Sequence, residues 1–197
     1  MRTLAATGNV FSALVLALTG IGPVTGQENA AARFEGRDTL LRPQNYREWI
    51  FVGSSLGLQY VKNPEAPPRR PELYHNVYIN PSSYREFSRT GKFPEGTVMV
   101  LELASSDVKK EPGLQGSYQK DYTALEASVK DSKRFTNGWA YFSFGGKNGQ
   151  IKDKAQPFAD SDCWSCHHQK AATDNVFTQF YPVLRAVAPK LPSEPGK

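Results

Sequence analysis

"GTVMVLELAS", residues 96 to 105, opens on a glycine, closes on small residues, and fills the space between with branched and long apolar side chains. That is strand composition. Met99, Leu101 and Leu103 repeat at the two-residue period of a strand, so they share one face and read as core. Neighbouring stretches extend the pattern. "LYHNVYINP" (Leu73 to Pro81) is a second strand, and "GWAYFSFGG" (Gly138 to Gly146) is a third, set between glycines. "PSSYREFSRTGKF" opens with a serine cap and predicts a helix ending at Gly91. "RPQNYREWIFVGSSLG" (Arg42 to Gly57) predicts a short helix, because Pro43 suits a first turn and Tyr46, Trp49 and Ile50 fall at helical spacing. "KNPEAPPRRPE" and "KKEPGLQGS" are loops, and "YTALEASVKDSKRF" fits either period. Short strands, few helices and one closing segment predict a single α+β domain, mainly antiparallel β-sheet.

The first residues stand apart. Arg2 precedes an apolar run, Val10 to Gly22, which is short for a bilayer span. Pro23 breaks it, and small residues follow to Gly26. Residues 1–26 therefore read as a secretory signal, residues 27–41 as a flexible segment and 191–197 as a disordered tail. Without the signal the chain keeps 23 basic against 19 acidic residues, a balance of +4. The bases are scattered beside acids, as in "VKDSKRF", with no basic aromatic stripe, so nucleic acid is not an expected partner. No other segment approaches membrane-spanning length, so no membrane association is expected once the signal is gone.

Both cysteines and two of the three histidines fall within "CWSCHH", Cys163 to His168. Cys163-Trp164-Ser165-Cys166-His167 is C-x-x-C-H, the attachment signature of c-type haem: two thiols add to the vinyl groups and the next histidine takes the iron. Three other chemistries compete. A thioredoxin-like pair normally sits near a βαβ pattern, which is missing here. Structural zinc wants four ligands, and the motif supplies three. A disulfide three residues long closes too small a loop to stabilise much. An exported chain whose only cysteines form this motif fits one covalent haem c best. His168 cannot share the iron with His167, because adjacent side chains diverge. For the sixth iron position only Met99 and His75 are candidates after signal removal, and both read better as strand residues, so an open sixth position is expected.

"NYREW", "VYINPSSYREF", "TGKFPEGTV", "LEASVKDSKRF" and "VFTQFYPVLRA", with C-x-x-C-H just before the last, resemble the cytochrome P-460 family in letters, order and spacing over about residues 42 to 188. The resemblance implies a periplasmic homodimer with a five-coordinate c-type haem, held in a domain of residues 42–190. In one branch of the family a lysine is cross-linked to the porphyrin and the protein oxidises hydroxylamine. In the other, the beta branch of cytochrome c prime, the lysine is missing and a phenylalanine-lined pocket binds nitric oxide or carbon monoxide. Leu101 holds the lysine's place here, and Phe93 to Val108 contains no lysine. His75 falls near a distal basic residue of the family, where it would act as a hydrogen-bond donor or acid/base group. The expectation is a cytochrome that binds nitric oxide or another small nitrogenous or diatomic ligand, with a hydroxylamine or nitric oxide oxidoreductase as the first alternative. A six-coordinate electron carrier is the second, and a redox-partner cytochrome is expected in any of the three. "TDNVFTQFYPVLRAVA" should pack on the haem side through Phe177, Phe180, Tyr181 and Leu184.

Overall fold

A computed structural model describes residues 31–59, 65–146 and 149–189; the proposed signal and tail lie outside them. Its centre is a five-stranded antiparallel sheet in chain order, β3 (Ile50–Leu56), β4 (Leu73–Ile79), β5 (Val98–Lys109), β6 (Gly116–Lys130) and β7 (Trp139–Ser143). A second, three-stranded sheet joins β1 (Phe34–Glu35), β2 (Thr39–Leu41) and β8 (Lys154–Ala155). The helices are α1 (Pro81–Thr90), α2 (Trp164–Lys170) and α3 (Pro182–Val187). The expected α+β, mainly antiparallel class is what the chain adopts.

Strand alternation gives the large sheet two different faces. Val98, Val100, Ala127, Val129 and Phe142 face the small sheet and pack with Leu40 and Ala155. Val77, Ile79, Met99, Trp139 and Tyr141 face the other way, toward the helices, and pack with Phe87 and Leu184. Register aligns Val77 with Leu101, Leu101 with Glu126 and Glu126 with Ser143, so these four form one row across the helix-side face. The ambiguous stretch "YTALEASV" is strand, because β6 pairs with β5 there and, from Glu126 on, with β7 as well.

Three expectations are corrected. Arg42 to Gly57 is not a helix: only Tyr46–Glu48 form a 3₁₀ turn, and the chain then enters β3. Tyr46 points inward instead, donating its hydroxyl to the buried Glu102 carboxylate at 2.5 Å, while Arg47 also donates to it. Residues 31–41, expected to be flexible, carry β1 and β2; Leu40 is fully buried, and Phe34 packs edge-on against Phe142. Isolated apolar side chains in a polar stretch hold it to the sheet. The cap of α1 is Asn80, with Pro81 in the first turn, and Asn80 turns its side chain to the Val98 N–H at 2.9 Å. The predicted stop is right: Gly91 takes the left-handed φ of 72° that ends such a helix.

Candidate functional site

C-x-x-C-H opens α2. Cys163 is its cap, and the His167 N–H reaches back to the Cys163 carbonyl at 3.1 Å. This one turn brings both thiols and the imidazole to the wall of a single cleft, and Leu101 lines the same cleft from the sheet. The cleft has a cavity volume of about 200 Å³ and opens to solvent. Its sheet floor is Val77, Met99 and Leu101, and Phe142, Phe158 and Phe177 lie around it. Met99 thus belongs to the lining as well as to the core, where it is 5% exposed.

His167 Nδ1 lies 2.9 Å from the Asn175 carbonyl oxygen. A carbonyl only accepts, so Nδ1 carries the proton and the lone pair is on Nε2. Burial lowers the imidazole pKa, and the hydrogen bond to Asn175 offsets part of that; the neutral form is the metal-binding one. Tyr141 and Phe177 flank the ring, with centroids 4.3 and 4.5 Å away. His168, by contrast, is exposed and stacks flat on Trp164, 4.5 Å between centroids.

Both cysteines are unbridged. Burial, and then the charge of Glu126, raise the Cys163 thiol to about 11, away from the thiolate character that redox-active C-x-x-C pairs need. Among the described residues, no group of three or more His, Cys, Asp and Glu side chains converges as a metal cage. No lysine lines the cleft among the described residues.

His75 lies elsewhere. It pairs with Leu103 in the β4–β5 ladder and lines an adjoining cleft with Arg69 and Glu72. Leu101 and Glu126 are common to both clefts, so they separate His75 from the cysteine–histidine cleft. Burial lowers the His75 pKa. Glu126 is the residue that reading the sequence missed. It pairs directly with Leu101, and burial raises its carboxyl pKa. The signal was there in "ALEASV": the apolar alternation of Leu125, Ala127 and Val129 turns Glu126 to the opposite face. In the closing segment, Phe177 and Tyr181 line the cleft and Leu184 is fully buried, while Phe180 is 45% exposed. The break between the 3₁₀ turn Thr178–Phe180 and α3 takes Phe180 off the shared face.

The family model for cytochrome P-460 matches residues 43–178, more than half of the chain. The chain belongs to the cytochrome P-460 family. No curated protein matches it. As a cytochrome P-460 it binds haem, and the cleft has the donor set for that group: two unbridged thiols and a neutral imidazole on one helical turn, facing an apolar floor.

Proposed function

We propose that this cytochrome P-460 is an exported, periplasmic homodimer holding one covalent haem c. Cys163 and Cys166 carry the haem, His167 takes the iron, and the site binds nitric oxide or a similar small ligand. The observation that carries this reading is the cleft that joins both thiols, the His167 ring and Leu101, with no lysine among its described lining residues. Haem held there would supply an iron for binding a diatomic ligand. The chain supplies the rest. His167 presents Nε2 because its Nδ1–H is committed to Asn175. Val77, Met99 and Leu101 present an apolar face that disfavours charge. His75 stands beyond Leu101 as a proton donor or acceptor, within reach of ligands only past that side chain.

Glu126 favours a second reading, an oxidoreductase acting on hydroxylamine or nitric oxide. A carboxyl with a raised pKa, lining the cleft beside Leu101, is suited to taking protons from a nitrogenous substrate. A ferrous absorption spectrum with and without carbon monoxide tests both readings, together with a hydroxylamine turnover assay using an artificial electron acceptor. Binding of carbon monoxide without a strongly red-shifted Soret band, and little turnover, is expected. Rapid, sustained hydroxylamine consumption overturns the binding-protein reading. Resistance to carbon monoxide would make the protein a six-coordinate carrier, which passes electrons to a partner cytochrome.

A further inference from the structure

We propose that the turn at Asp174 and Asn175 is the positioning device for the iron-binding imidazole, and that Tyr141 sets how strongly this device acts. The inference rests on His167 as the proximal ligand.

Thr173 and Val176 bridge each other, with Asp174 and Asn175 between them at φ of 43° and 62°. Two positive φ values in succession define a tight primed turn, and Asn and Asp are the side-chain-bearing residues that best tolerate them. Such a conformation persists where its surroundings hold it. Here the hold is explicit. The Asp174 carboxylate accepts from Lys130 Nζ at 2.7 Å and from Trp139 Nε1 at 3.1 Å. Lys130 and Trp139 are register partners in the β6–β7 ladder, so one carboxylate clamps the turn across two strands. Lys130 is fixed in turn by the Phe93 carbonyl, 2.8 Å away.

The clamped turn aims one group, the Asn175 carbonyl. It accepts from His167 Nδ1 at 2.9 Å and from the Tyr141 hydroxyl at 3.3 Å. Tyr141 comes from the same strand as Trp139, two residues on, so the clamp and the second donor share one rigid element. Donors to one carbonyl compete for its negative end. The stronger the acceptor seen by Nδ1–H, the more basic Nε2 becomes. Tyr141 therefore weakens the push that Asn175 gives the imidazole, and Asp174 maintains it.

The test uses the haem-loaded full chain and two readouts that a merely structural role leaves still: the reduction potential and the iron–histidine stretching frequency in the ferrous resonance Raman spectrum. Tyr141→Phe removes one oxygen. It should favour the ferric state by up to about tenfold, a fall of ~59 mV for one electron, and raise the stretching frequency. Asp174→Gly keeps a residue tolerant of positive φ but loses both anchors; it should move both readouts the opposite way. Asp174→Asn keeps an acceptor for Trp139 but loses the Lys130 ion pair, so it should fall between wild type and Asp174→Gly. If Tyr141→Phe moves neither readout while His167→Ala abolishes the wild-type spectrum, the proposal is wrong and the proximal assignment stands. If His167→Ala leaves that spectrum unchanged, the assignment beneath the proposal has failed. Should Asp174→Gly not load haem, Tyr141→Phe decides alone.

Discussion

The side chain at position 101 has no nucleophile, yet it sits in the row Val77–Leu101–Glu126 and, with Glu126, borders both clefts. Leu101→Lys is expected to place an amine at the haem edge and produce a new red-shifted Soret band; an unshifted band in a folded, haem-loaded variant places residue 101 away from the porphyrin. The two adjacent histidines, His167 and His168, should behave differently. His167→Ala should abolish the native high-spin signature, whereas His168→Ala, which loses a stack on Trp164 and a 3.4 Å contact with the Asn175 side-chain oxygen, should leave it nearly intact. Equal effects from the two changes contradict the assignment. Glu126 carries a pH dependence. Its carboxyl pKa is raised in the fold, so the stability it contributes is present below the ordinary carboxylate range and is lost as pH rises through the folded value. Glu126→Gln should flatten that decline in a series of melting curves, and an unchanged decline would assign it to another group. The contrast with the cysteines explains what the sequence discloses of the site. Cys163, Cys166 and His167 are brought together by a single local turn, so their spacing suffices. Glu126 is brought beside Leu101 by the β5–β6 register; its letters give the face it takes but not the distant residue it meets there.

At the scale of elements, apolar runs bounded by turn residues were legible: β4, β5 and β7 lie where their composition puts them. The stretch from Arg42 was not. A Tyr–Trp–Ile spacing satisfied equally by a helix and by one 3₁₀ turn cannot reveal that Glu102, from β5, will recruit Tyr46 and Arg47. Helix α3 depends on packing more than on its own six residues, since so short a helix is marginal alone. Leu184 is its one fully buried side chain, and Gly53 on β3 admits its first turn: a Cβ there would stand 3.0 Å from Pro182 Cδ. Leu184→Ala is expected to cost about 2–5 kcal/mol, read from the urea midpoint with haem content monitored in parallel. A loss well under 1 kcal/mol would mean that α3 is not held through this residue.

Across the whole molecule, the large sheet separates two kinds of packing. The face toward the small sheet is mainly apolar, built from residues such as Val98, Val100 and Leu40 with Glu102 as its buried carboxylate, and the face toward the helices carries the cleft. Leu40→Ala should cost about 2–5 kcal/mol by the cavity it leaves while preserving the haem spectrum, because the sheet lies between the two. A spectral change as large as that of a cleft substitution would show that the faces are not independent. The strand order has a consequence in time. In the large sheet every strand pairs with the one next in sequence, so each pairing is local in the chain. The pairing of Leu40 with Ala155 instead joins distant ends of the chain. Contacts of that span form late in folding. Leu40 should therefore bury after the transition state, and Leu40→Ala should accelerate unfolding while leaving the refolding rate almost unchanged.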